Sequence, residues 1–241
     1  MRSHELGASG KVVLALHNLK ELHKVGMFAK DLGPQVHAVS INMRMARVGG
    51  LSEVIQKFNH WGVHNLVIDE SFGVQDKGMI LDIAAQHHEV KYITIDGRMG
   101  FTAMRRLAEA KNQYRATRSV KLIATTDLPE IPDEDVTATF MQTVPELVKN
   151  LSGQAQKAGL DGYYASLREA GCGPADFFYM ASGVRLGLIE GDDKFRTATL
   201  EEARDFPQRP DLYVLGSAVT HFAEYDECLN AFGSVIEALT V

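Results

Sequence analysis

The chain has 241 residues, 45% of them hydrophobic, and a formal net charge of −6. That length and apolar content support a full buried core, in one large α/β barrel or in two small domains, and a single domain over residues 1–241 is the expectation. The acidic balance gives no global attraction for polyanions and argues against nucleic-acid binding, while Cys172 and Cys228 lack metal-ligand spacing and read as plain thiols rather than a disulfide framework. The N-terminal Met1-Arg-Ser-His-Glu-Leu carries no signal-peptide apolar run and no stretch reaches the length of a membrane span, so a cytoplasmic protein with no membrane partner is expected.

Short β-branched or apolar runs alternate along the chain with longer segments of helical spacing. The runs cover residues 11–16, 36–41, 65–68, 91–95, 120–125, 162–165, 177–181 and 212–215. Helical spacing is clearest in Val144, Leu147, Val148, Leu151 and Ala155, and in Tyr225, Cys228, Leu229, Phe232, Val235, Ile236 and Leu239. Eight strand–helix units predict a closed (β/α)8 TIM barrel of the α/β class, whose parallel strands are apolar because both faces are buried. An open doubly wound sheet is the alternative. Asp127-Leu-Pro-Glu-Ile-Pro-Asp-Glu-Asp reads as a proline-bearing loop inside this alternation, since strands continue after it.

In such a barrel the chemistry sits where the strands end. Those ends carry His17-Asn18, then Ser40 and Asn42, Asp69-Glu70-Ser71, Asp96-Gly97-Arg98, Thr125-Thr126-Asp127 and Ser166. Ser40, Asn42, Thr125 and Ser166 are candidate substrate-binding residues. His17, Asp69 and Asp96 are the candidate catalytic set, and they also form an imidazole-plus-two-carboxylate group able to hold Mg²⁺ if their tips meet. The plain alternatives are a hydrogen-bonded rim histidine and two helix-capping carboxylates.

The last part of the chain carries a candidate phosphate grip. An apolar strand ends in Ser182-Gly183-Val184-Arg185, a loop Gly191-Asp192-Asp193-Lys194-Phe195-Arg196 leads to an expected helix from Thr199 to Arg204, and a further strand ends in Gly216-Ser217. Two glycine-opened strand-to-helix turns aim backbone N–H groups at one point, and Arg185 beside them adds charge. Ser182, Gly183, Arg185, Gly216 and Ser217 are the candidate phosphate ligands. Arg196 has its neighbouring aspartates as alternative partners.

The order of these segments resembles the orotidine 5'-phosphate decarboxylase family and the wider group that includes hexulose phosphate synthase. Lys121-Leu-Ile-Ala-Thr-Thr-Asp-Leu is similar to the family's fifth strand, Leu160-Asp-Gly-Tyr-Tyr-Ala-Ser166 to its sixth, and Val67-Ile-Asp69 to the start of its Asp-x-Lys-x-x-Asp signature. After Asp69 the pattern departs: Glu70-Ser71-Phe72-Gly73-Val74 lacks the lysine and the second aspartate. The first strand ends in His17 where the family has aspartate, Ser40 stands for the second-strand lysine, and Ser217 for the arginine of the closing Gly-Arg-Pro turn. Lys77 is a substitute ammonium only if its loop folds back. The resemblance implies a lyase acting on a phosphorylated nucleotide or sugar, with no required cofactor, a place in pyrimidine biosynthesis and a homodimer. The alternative is a non-catalytic barrel that binds a phosphorylated metabolite or a protein partner.

Overall fold

The computed structural model describes residues 8–16, 19, 22–45, 50–126, 131–187 and 195–240. Eight parallel strands close into a barrel: β1 (Val12–Ala15), β2 (Ala38–Ile41), β3 (Leu66–Phe72), β4 (Val90–Asp96), β5 (Lys121–Thr125), β6 (Gly162–Ser166), β7 (Phe178–Ser182) and β10 (Leu212–Leu215). β1 closes the ring by pairing with both β2 and β10, so an open sheet is ruled out. A two-residue strand β8 (Val184–Arg185) pairs separately with β9 (Ala198–Thr199).

Strand alternation explains why these runs are apolar throughout. Val13, Val67, Tyr92, Ile123, Tyr164, Met180 and Val214 fill the barrel interior, while Leu14, Leu66, Ile68, Ile93, Leu122 and Leu215 face the surrounding helices. At the N-terminal end the interior is closed by Tyr92 and Phe178, whose rings stack with centroids 5.8 Å apart, with Lys121 Nζ 4.4 Å from the Phe178 centroid. The Tyr92 hydroxyl meets His37 Nε2 at 2.8 Å, and burial, reinforced by Lys121, pushes the imidazole's pKa down.

The helices are α1 (Leu22–Asp31), α2 (Gly50–His60), α3 (Lys77–Gln86), α4 (Phe101–Gln113), α5 (Asp133–Phe140), α6 (Val144–Lys157), α7 (Ser217–Thr220) and α8 (Tyr225–Thr240). α6 and α8 lie where the helical spacing placed them. α6 begins with a capping box in which the Thr143 backbone N–H and hydroxyl donate to Glu146 Oε2 at 2.9 and 2.8 Å, which holds the exposed carboxyl below its ordinary range. None of the helices described is long and apolar enough to cross a membrane.

Three local expectations change. The end of the proline-bearing segment is helical: Asp133, Glu134 and Asp135 form the first turn of α5, where carboxylates favour the positive end of the helix dipole. The helix expected from Thr199 is reduced to a 3-10 turn, Glu202–Asp205, with Glu202 accepting from the Thr199 N–H at 2.7 Å. β3 and β4 run on to Phe72 and Asp96, so Asp69 and Asp96 belong to strands rather than following them.

Candidate functional site at the barrel mouth

Two residues beyond the apolar interior layer, strand alternation sets Ser40, Asp69, Thr94, Thr125, Ser166, Ser182 and Gly216 on the same inner face at the C-terminal mouth. Thr94 organises one side of it. Its hydroxyl donates to Asp69 Oδ1 at 3.0 Å and accepts the backbone N–H groups of Glu70 and Ser71, each at 3.0 Å. These two amides lack ladder partners because the β3–β4 register slips between Ile68 and Phe72. At the slip Ser71 takes a left-handed φ of 50°, which is sparse for a residue with a side chain and clusters at functional sites. Ser71 Oγ then donates to Thr125 Oγ1 at 3.0 Å, so β3, β4 and β5 are tied together at the rim.

Thr94 was not singled out in the sequence, although a polar residue two positions before Asp96 in an otherwise buried strand was visible there. Replacing it with valine keeps the shape but leaves two amides without their acceptor and removes one hydrogen bond from the Asp69 carboxylate. We expect Thr94→Val to cost about 2 kcal/mol in chemical denaturation. A loss below about 0.5 kcal/mol would mean that the bulge holds without it.

The remaining candidates divide by what they touch. Ser40 is 1% exposed and its Oγ has no hydrogen-bond partner among the described residues, so its hydroxyl is available to a group entering the mouth. Asn42 closes a turn, its Oδ1 accepting from Met45 N at 3.4 Å. Ser166 caps the 3-10 turn Leu167–Glu169 by accepting from Arg168 N at 3.1 Å and donates to the Arg196 carbonyl at 2.8 Å. Tyr179 donates to the Ser166 carbonyl at 2.6 Å, and burial pushes its phenol far above the ordinary range, which makes it a neutral donor rather than a base.

Asp96 is engaged by its neighbour. It accepts from the Arg98 backbone at 2.9 Å and from the Arg98 guanidinium at 2.7 and 3.1 Å, one bond to each carboxylate oxygen. This is the capping alternative with an ion pair added. His17 lies outside the described residues, and among those described no group of three His, Cys, Asp or Glu side chains is placed to share a metal ion. The candidate set His17, Asp69 and Asp96 is thus described only in its two carboxylates. Lys77 begins α3 and lines a cavity together with Val74, Met99 and Arg106.

The candidate phosphate ligands lie at the ends of adjacent strands or just after them, since Leu212 and Tyr213 of β10 pair with Met180 and Ala181 of β7. After Ser182 the chain turns at Gly183, with φ 70°, and enters the β8–β9 ribbon instead of the expected helix. Arg185 is buried, with Nη1 donating to the Val184 carbonyl at 2.8 Å. On the neighbouring strand, Gly216 precedes α7 and accepts from Val219 N at 2.9 Å, while Ser217 Oγ is buried without a hydrogen-bond partner among the described residues. Arg196 has partners distant in sequence: Nε lies 3.6 Å from Glu169 Oε1, and Nη1 reaches Asp133 Oδ1 at 3.3 Å and the Ile131 carbonyl, while the neighbouring Asp192 and Asp193 lie outside the described residues. Long-range pairing of this kind leaves no mark in local sequence.

No protein-family model matches the chain. Among curated proteins, it is 28% identical over 206 residues to an orotidine 5'-phosphate decarboxylase of Geobacter sulfurreducens, covering 81% of this chain and 84% of that one. It is 26% identical over 236 residues to one of Trichlorobacter lovleyi, covering 90% and 91%. Among solved structures, orotidine 5'-phosphate decarboxylase from Lactobacillus acidophilus superposes with a TM-score of 0.71 at 20% identity, over 96% of this chain and all (100%) of that one. An uncharacterized conserved protein from Geobacillus kaustophilus superposes with a TM-score of 0.70 at 17% identity, over 95% and 99%. Over most of its length, the chain is thus similar in sequence to orotidine 5'-phosphate decarboxylases, and it shares the closed barrel of the solved one.

Proposed function

We propose that the barrel mouth takes a phosphorylated nucleotide or sugar and acts on its carbon skeleton as a decarboxylase-like lyase. The phosphate lies between the Ser182-Gly183 and Gly216-Ser217 turns, with Arg185 behind them. What carries this reading is the pairing of β7 with β10, which sets these turns side by side on a chain related to orotidine 5'-phosphate decarboxylases over 81% of its length. Phosphate binding energy then organises the reacting end of the ligand over Asp69, Ser40 and Thr125. By the same resemblance we propose a homodimer.

Serine hydroxyls at positions 40 and 71 stand where the family carries lysines. Decarboxylation of orotidine monophosphate leaves a carbanion, and a unit positive charge about 4 Å away is worth roughly 4 kcal/mol at an effective dielectric of about 20. Without it the rate falls on the order of a thousandfold. We therefore assign proton transfer to Asp69, positioned by Thr94, and expect orotidine monophosphate to be a poor substrate beside sugar phosphates. The same serines favour a second reading, a barrel that binds the phosphate ester without turning it over.

Incubation with orotidine monophosphate and a panel of sugar phosphates, following turnover beside binding, separates the two. Binding without turnover across the panel supports the second reading, and no binding of any phosphate ester overturns both. Arg185→Ala should weaken phosphate-ester binding by about 2 kcal/mol if its guanidinium contacts the phosphate. Unchanged affinity in calorimetry removes Arg185 from the site.

A further inference from the structure

The start of α8 packs against α1, and between them lies a cavity of about 120 Å³. Phe28, Phe222 and Tyr225 give it three aromatic walls, and Met27 and Cys228 add two sulfur-bearing side chains. The Phe28 and Tyr225 rings meet edge-on with centroids 5.0 Å apart, and the Tyr225 hydroxyl donates to Asp31 Oδ2 at 2.7 Å, so the two helices that bound the space are tied together. Cys228 donates from Sγ to the Phe222 carbonyl at 3.6 Å, and burial holds its thiol above the ordinary range, which keeps that wall uncharged. Met27 and Phe222 are 42% and 41% exposed and leave an apolar rim open to solvent. Thr220 also lines the cavity, and it ends α7, the four-residue helix that starts at Ser217. Its Oγ1 and its backbone N–H both donate to the Gly216 carbonyl, at 3.1 and 3.0 Å. One end of α7 thus borders the cavity and the other forms the Gly216-Ser217 turn.

We infer that the cavity between α1 and α8 is a second ligand site, for an uncharged single-ring aromatic compound, and that its occupancy is felt at the Gly216-Ser217 turn. Size sets the first part: an apolar cavity of roughly 150 Å³ holds one benzene ring, and this one is of that order. Lining chemistry selects an aromatic body, because three ring walls offer edge-to-face contacts and sulfur lies favourably at a ring edge. A charged body is disfavoured, since the depth of the site at Phe28 and Cys228 has no ion to replace lost hydration. His23 and Lys24 stand at exposed positions of the lining, on the side where one small polar substituent reaches water. The second part follows from α7: contacts made to Thr220 and Phe222 hold the short helix in place, and with it the Gly216 carbonyl that Thr220 grips. The effect of that coupling on phosphate esters rests on the phosphate grip proposed above, whereas the site itself does not.

The test titrates the full-length chain with benzyl alcohol, and with glycerol as the ring-free control, while following amide chemical shifts. Benzyl alcohol should shift the amides of residues 22–28 and 219–228 together with those of Gly216 and Ser217, and glycerol should shift none of them. Ala223→Leu, which narrows the cavity, and Phe222→Ala, which removes a wall, should each weaken benzyl alcohol by at least about fivefold. Both positions are exposed, so folding is retained. Absence of shifts in the two helices, or wild-type affinity in both variants, overturns the site, and shifts that stop short of Gly216 and Ser217 overturn the coupling. If those two amides move while ribose 5-phosphate binds with unchanged affinity, the inference stands and the phosphate grip is what fails. Sedimentation covers the other occupant: self-association that Met27→Glu dissolves would place a second copy over the cavity and overturn the small-molecule assignment.

Discussion

Lys111→Ala is expected to lower folding stability by about 3 kcal/mol, among the largest single-residue effects in the molecule. Lys111 lies in the last turn of α4, and its side chain is only 4% exposed. Its ammonium meets Asp161 Oδ2 at 2.6 Å and donates to the Val120 carbonyl at 3.1 Å, while the same carboxylate oxygen accepts from Leu122 N at 2.8 Å. One ion pair thus joins a helix to the segments that open β5 and β6. Removing the lysine strips the carboxylate of its counter-charge and orphans a carbonyl. Asp161 retains 29% exposure and so keeps some water, which places the cost at the low end of the range for buried pairs. Lys111→Met should cost less because it keeps the apolar stem packed. Urea denaturation measures both, and a loss below about 1 kcal/mol for the alanine variant would show that the pair is not an anchor.

Gly183→Ala is expected to cost about 3 kcal/mol and to weaken phosphate-ester binding together with stability. Two independent demands meet at this residue. Its φ of 70° is strained for any residue with a Cβ, and the added methyl would stand 2.7 Å from the Arg196 carbonyl oxygen, a backbone atom that cannot swing away. That carbonyl also accepts from Ser166 Oγ, so relief has to move β6, β7 and the residues around 196 together. The discriminating comparison is with Arg185→Ala, which should lower affinity with a smaller effect on the backbone. If Gly183→Ala keeps wild-type stability, the clasp formed by Ser166, Gly183 and Arg196 is not what shapes the turn.

The barrel was legible because its signal is repeated eight times and each repeat is set by burial on both faces of a strand. The runs ending in Leu16, Ile41 and Leu215 are apolar on both faces, as a parallel sheet covered on both sides requires, and the number of runs favoured closure. The polar residues at the strand ends were legible for the same reason, since alternation fixes which of them face inward. Their partners were not. Asp96 turns to Arg98 two residues away instead of across the mouth, and Arg196 meets Glu169 and Asp133, both far from it in sequence. Thr94 escaped notice because a threonine suits a strand, and its role appears only once β3 slips register beside it. Helix boundaries near prolines were also misjudged: Pro132 precedes α5 and fits its start, where an extended residue is needed.

A crystal structure with a bound phosphorylated ligand, chosen from whichever nucleotide or sugar phosphate binds in calorimetry, tests the central claim most directly. The account predicts the phosphate between Gly183 and Ser217, within hydrogen-bond distance of the Ser217 hydroxyl, and the rest of the ligand over Asp69 and Ser40. A phosphate bound only on the outer surface, with the mouth filled by protein side chains, would contradict it.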